Sequence, residues 1–282
     1  MPFAPGATRH EGLRLESAIE VEGPVAHVHL ALHNDGAEPV SLASVGCGFR
    51  WSPPDPKALR FLRHGWQSWS LTESRALDDS GEPPFPSGEW LRGFHHAVGQ
   101  PPSDRSGWHE SELVTVVGGA DGSGACLVGA YERGAGFSVV YARVHGGEVE
   151  LELEQCLDQT LAPAASLRLE TLRVELGTAA SGLLEAYASE YGRRAVARVT
   201  QPFVSGWCSW YYAFADVTED DVRRNLDALT SLRDDIPVEV VQLDDGYQRA
   251  VGDWRETNAK FPRGLAAVAQ DVRDAGFMAG LW

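Results

Sequence analysis

The run VVQLDD at 240–245 sets two carboxylates side by side at the end of a short apolar stretch. VVQL has the length and composition of a buried strand, and Gly246 and Tyr247 behind it signal a turn. Adjacent strand residues point to opposite faces. Where the backbone turns at a strand's end, however, Asp244 and Asp245 can converge on one ligand. Two acceptor-only groups suit a ligand with several hydroxyl donors, such as a hexose, or a hard cation such as Mg²⁺. A solvated strand-end pair or a helix N-cap is the plainer alternative. Neighbouring aromatic residues bear on the choice. SGWCSW carries Trp207 and Trp210, with Tyr211 next, at the end of a second apolar stretch, and GFMAGLW ends a third on Trp282. GDW at 252–254 adds Asp253 and Trp254. Pyranose C–H faces pack on indole rings while carboxylates take the hydroxyls, so this company favours a sugar over a metal.

Two other groupings carry less chemistry. GGADGSG at 118–124 lacks the Lys-Ser/Thr end of a phosphate loop and lies between strand-like runs, so it reads as a hairpin loop. His95, His96 and His109 have neither an HExxH helix nor a cysteine partner, so no metal site and no cofactor are expected.

The elements that must position the candidate residues are legible as patterns. VTEDDVRRNLDALTSLR at 217–233 has Thr218 as N-cap, Asp221 three residues later, and Val222, Leu226, Leu229 and Leu232 as an apolar stripe. A second helix at about 264–275 carries Leu265, Val268, Ala269 and Val272 on one face and stops at Gly276. Strand, helix, strand, helix, strand is a parallel α/β pattern, whose chemistry collects at the carboxyl ends of the strands. A closed eight-unit barrel takes roughly 250 residues. Residues 203–282 supply two and a half units, so the sequence reads as cut short inside such a barrel.

Residues 10–178 have a period of two, with segments such as VAHVHLALHN and EVELELEQ separated by NDG, RGAG and HGG. Many short strands with hardly a helical pattern among them predict an antiparallel β-sandwich over 1–180. SGLLEAYASEYGRRAVAR, with Leu183, Leu184, Tyr187 and Tyr191 at helical spacing, predicts a helical linker over 181–202. Residues 51–110, rich in Pro, Trp and His, interrupt the meander, and RHGWQSWS within them reads as a loop presenting an aromatic ring, with hydrophobic capping of the sandwich as the alternative.

A net charge of −16 over 282 residues argues against nucleic acid or an anionic membrane surface as partner, because both call for a basic patch. Four widely spaced cysteines without a CxxC predict free thiols in a reducing compartment. The first residues lack the basic and apolar regions of a signal peptide, and no run of 18 apolar residues occurs. The location expected is cytoplasmic.

GWCSWYYAF, VQLDDGYQRAVGDW, FPRGL and GFMAGLW, in this order and spacing, resemble the α-galactosidases of glycoside hydrolase family 36, the melibiase type, and GWQSWS fits the same family. The resemblance implies an N-terminal β-supersandwich followed by a catalytic (β/α)8 TIM barrel, and retaining hydrolysis of terminal α-D-galactosyl residues from melibiose- or raffinose-type oligosaccharides. It implies that Asp244 and Asp245 bind galactose hydroxyls, chiefly at C4 and C6, and that Trp210, Tyr211 and Trp282 line the pocket. Trp69, with Trp66 in reserve, matches a ring that the sandwich inserts into the pocket. The family's aspartate nucleophile and acid/base belong to the fourth and sixth strands, past Trp282, so no catalytic residue is expected within 1–282. Raffinose- or stachyose-synthase-like galactosyl transfer, α-N-acetylgalactosaminidase activity and non-catalytic sugar binding remain as alternatives. A metal-dependent hydrolase on Asp244 and Asp245 would lose ligand binding in EDTA. A homo-oligomer is compatible with the resemblance, with no interface legible in the residues.

Overall fold

The computed structural model describes residues 6–65, 72–78, 107–119, 121–122, 124–131, 136–200 and 202–282. The chain forms two units, Met1–Ala197 and Arg198–Trp282.

Alternation of apolar and polar residues makes the first unit a stack of strands. In chain order these are β1 (Gly6–His10), β2 (Leu13–Glu22), β3 (Val25–Asn34), β4 (Val40–Trp51), β5 (Leu59–Arg63), β6 (Glu73–Ala76) and β7 (His109–Glu112). They continue with β8 (Val114–Gly119), β9 (Ala125–Ala130), β10 (Phe137–His145), β11 (Glu148–Leu161), β12 (Ser166–Arg168) and β13 (Leu172–Gly177). One sheet runs β1-β2-β3-β13-β9-β8-β5-β6, with β12 also beside β3; a second runs β4-β11-β10-β7. The pairings within both are antiparallel. The HGG turn shows the local cause: Gly146 and Gly147, with φ of 61° and 83°, form the two-residue loop joining β10 to β11.

Inward-facing residues of both sheets share one core. Val28, Leu30 and Leu32 of β3 and Val128 of β9 meet Phe49 of β4, Val140 of β10, and Val149, Leu151 and Leu153 of β11. The expected sandwich is present. β8, which includes Gly118 and Gly119, pairs antiparallel with β9, so GGADGSG falls where a hairpin connection was expected.

The helix expected as a linker is α1 (Ala180–Arg194), and it lies on the outer face of the larger sheet. Leu183 and Tyr187 pack on Val114, Val116, Ala125 and Leu127. The Tyr187 hydroxyl donates to the Ala130 carbonyl.

The second unit follows as β14 (Gly206–Cys208), α2 (Trp210–Ala213), α3 (Glu219–Ser231), β15 (Val240–Leu243), α4 (Gly264–Asp274) and β16 (Met278–Leu281). The three strands are parallel in the order β14-β15-β16. In register, Cys208 lies beside Gln242, and Gln242 beside Gly280. Val241 and Leu243 face the helices, packing with Val222 and Leu226 of α3 and Val268 and Val272 of α4. α3 begins at the expected capping box: the Thr218 hydroxyl accepts from the Asp221 amide at 3.1 Å, and the Asp221 carboxylate accepts from the Thr218 amide at 2.9 Å. The apolar stripe is one turn shorter than its spacing suggests, because α3 ends at Ser231 and leaves Leu232 40% exposed.

Candidate functional site

Alternation along β15 decides what surrounds the two carboxylates. Val241 and Leu243 go to the helices, so Gln242 and Asp244 share the opposite face. Asp244 is buried, 9% exposed, and each of its oxygens is engaged. Oδ1 accepts from the Asp245 amide at 2.8 Å, while Oδ2 accepts from Gln242 Nε2 at 3.3 Å and from the Cys208 thiol at 3.2 Å. The Asp244 amide donates to Ser209 Oγ at 2.9 Å, which ties the end of β15 to the end of β14.

Asp245 is less buried. Its Oδ1 accepts from Gln248 Nε2 at 2.8 Å, and Gln248 Oε1 accepts from the Gly246 amide at 2.8 Å. The turn is fixed by Gly246, whose φ is 114° and where a Cβ would stand 2.5 Å from the Ala215 carbonyl oxygen. Asn258 closes the loop from the other side, donating to the carbonyls of Gly246 at 2.8 Å and Gln248 at 3.1 Å. Tyr247 is fully buried and packs edge-on to Phe261, with ring centroids 6.5 Å apart. Its hydroxyl donates to the Trp282 carbonyl at 3.2 Å. Burial, then the charge of Asp245, push the Tyr247 phenol up, so it is a neutral donor at ordinary pH.

Trp282 continues β16 beside Asp244: its amide donates to the Leu243 carbonyl at 3.0 Å, and its side chain is 65% exposed. Trp210 follows Ser209 directly but opens α2 rather than ending a strand, because β14 is only three residues long. Its ring packs edge-on against Phe214, with centroids 5.3 Å apart. Tyr211 lies on the same short helix and is 85% exposed. The middle strand therefore ends in Asp244 and Asp245, its neighbours end near Trp210 and Trp282, and Tyr211 stands one residue further out. Trp69 and Trp66 lie outside the described residues, as do His95 and His96. Asp253 is taken up locally, paired with Arg249 at 2.8 Å, and Trp254 is 56% exposed. His109 belongs to β7, with Nε2 3.0 Å from the Leu77 carbonyl oxygen.

Cys208, Ser209, Gln242 and Gln248 complete the polar surroundings, and none was singled out as a ligand or partner from the sequence. The signal for one of them was there: Gln242 stands two residues before Asp244 on one strand face, whereas only the strand register places Cys208 beside Gln242. A cavity of about 160 Å³ in this unit lies on the other face of the sheet, lined by Val222, Leu265, Val268, Val272 and Leu281, and is apolar. Its lining suits packing, not hydroxyl recognition. The four cysteines are unpaired. Among the described residues no His, Cys, Asp and Glu side chains group as a metal site would require, and no helix is long and apolar enough to cross a membrane.

No family profile matches the chain. Solved structures do. An α-galactosidase from Thermus thermophilus, in complex with p-nitrophenyl α-D-galactopyranoside, is 25% identical with a TM-score of 0.62, covering 98% of this chain and 48% of that one. The α-galactosidase of Lactobacillus brevis is 14% identical with a TM-score of 0.60, covering 97% of this chain and 37% of that one. A variant of the family 36 α-galactosidase AgaA from Geobacillus stearothermophilus, in complex with raffinose, is 15% identical with a TM-score of 0.55, covering 96% and 37%. The chain thus spans less than half the length of these structures. In fold, and over nearly its whole length, it is similar to a portion of the α-galactosidases of glycoside hydrolase family 36.

Proposed function

We propose that this chain carries the galactose-recognition part of a retaining α-galactosidase, with β14, β15 and β16 as the first strands of a (β/α)8 barrel and with the sandwich at 1–180 as its N-terminal domain. One observation supports the reading above the others: Asp244 and Asp245 stand at the carboxyl end of the middle strand of a parallel sheet, flanked at the ends of both neighbours by tryptophan. That edge is where parallel α/β enzymes bind substrate. In this reading the two carboxylates accept hydroxyl hydrogen bonds from the galactosyl ring, Trp210 and Trp282 cover its C–H faces, and Tyr211 borders the pocket. The axial C4 hydroxyl separates galactose from glucose, and a site built to hydrogen-bond a hydroxyl rejects an analogue that misplaces it.

In this reading Asp244 and Asp245 bind the sugar and do not carry out the bond cleavage. Retaining hydrolysis needs two carboxyls roughly 5–5.5 Å apart, one attacking the anomeric carbon and one protonating the leaving oxygen. Asp244, with three of its roughly four acceptor sites already filled, is suited to binding rather than to attack. Galactoside oligosaccharides of the raffinose type are the substrates proposed, the kind of sugar bound in the raffinose complex above.

The 282-residue chain is expected to bind D-galactose more tightly than D-glucose in a calorimetric or NMR titration, and Asp245→Ala to weaken that binding by at least about tenfold, the loss of one or more charge-assisted hydrogen bonds. Equal affinity for the two sugars, or no effect of Asp245→Ala, would overturn the reading. Nitrophenyl α-galactoside is expected to remain unhydrolysed by the same preparation.

A further inference from the structure

Asp244 has few vacant acceptor sites. An ionised carboxylate has about four acceptor sites. Three are used among the described residues: one on Oδ1 by the Asp245 amide, and two on Oδ2 by the Cys208 thiol and the Gln242 amide. Cys208 and Gln242 come from adjacent parallel strands at a matched register position, and Gln242 Nε2 is also 3.8 Å from Cys208 Sγ. The two side chains therefore brace each other as well as the oxygen between them.

We propose that Cys208 and Gln242 are positioning residues for Asp244, holding Oδ2 so that the carboxylate offers a single acceptor site, on Oδ1, to one sugar hydroxyl. The inference rests on the galactose reading of this site. It divides the work of the pair. Asp245, whose only donor among the described residues is Gln248 on Oδ1, keeps Oδ2 for further hydroxyls. Asp244 fixes the orientation of one. The thiol must keep its proton to act, since a thiolate would be an acceptor facing an acceptor. Burial raises the Cys208 pKa most; a hydrogen bond from the Trp210 backbone opposes it, the Asp244 carboxylate adds to the rise, and the net upward shift keeps the thiol a donor through neutral pH.

Four versions of the 282-residue chain test this: wild type, Cys208→Ala, Cys208→Ser and Gln242→Met. Two quantities are read, D-galactose affinity and the ¹H shift of the sugar-free Asp245 amide, which reports where Asp244 Oδ1 stands. Cys208→Ala and Gln242→Met are expected to weaken galactose binding about tenfold, the loss of one hydrogen bond to a charged group, and to move the Asp245 amide. Cys208→Ser keeps a donor and is expected to restore both to near wild type. Wild-type affinity with an unmoved amide in Cys208→Ala and Gln242→Met would overturn the proposal, as would a Ser variant no better than Ala. Should Cys208→Ala fail to fold, Gln242→Met carries the same test alone. If wild type binds no galactose, the sugar reading falls, and the Asp245 amide still decides whether Cys208 and Gln242 position the carboxylate.

Discussion

Gly246 shows how narrowly the site depends on single residues. With φ at 114° and the Ala215 carbonyl oxygen 2.5 Å from where a Cβ would stand, no other residue fits without moving the backbone. Gly246→Ala is expected to cost about 1–3 kcal/mol in strain alone, read as a fall in the denaturation midpoint with disturbed amide signals at Asp244 and Asp245. An unchanged midpoint would contradict the description of this turn. His27 is a second such residue, in the first unit. Its ring stacks on Tyr131 at 4.5 Å, and its pKa is lowered, first by burial, then by the charges of Arg173, Arg194 and His29, with Glu20 opposing. The folded state thus holds a neutral imidazole, while the unfolded chain takes up a proton near pH 6.5. Below that pH the unfolded state binds more protons, so stability falls as the solution is acidified from about 6.5 towards the lowered folded value. Urea midpoints at pH 7 and 5.5 are expected to differ less in His27→Gln than in wild type.

The elements show what a sequence discloses and what it conceals. The α3 capping box was legible because its two residues lie three apart, within one turn, and Thr218→Ala is expected to cost about 1 kcal/mol. The packed face of α1 was equally plain in the spacing of Leu183 and Tyr187, but what it packs on was not. Gly129 and Gly177 make that docking possible: a Cβ at Gly129 would stand 3.1 Å from the Tyr187 ring, and one at Gly177 2.9 Å from Leu183. Leu183→Ala is expected to cost about 2–5 kcal/mol by leaving a cavity there, measured by chemical denaturation. Sheet order was beyond reach. Alternation tells which residues of β3 face the core but not that β13, far along the chain, lies beside it. The end of β14 was also misjudged: SGWCSW reads as one strand through Trp210, whereas Ser209 already has helical angles, φ −68° and ψ −24°.

At the scale of the molecule, local patterns foretold the two kinds of architecture, a sandwich and a parallel α/β sheet, because period two and period 3.6 are each written into short stretches. The candidate site was legible in part. Asp244, Asp245 and Trp282 stand on neighbouring strand ends as their motifs suggested, while one donor to Asp244, the Cys208 thiol, comes from the strand beside it and was visible only once register was known. The central claim is that the ends of β14, β15 and β16 together receive one galactosyl ring. It is tested most directly by titrating the isotope-labelled 282-residue chain with D-galactose and following the backbone amides. Saturable shifts concentrated at 208–211, 244–248 and 281–282, and absent with D-glucose at the same concentrations, are the expected result. Shifts confined to the first unit, or the same response to both sugars, would contradict it.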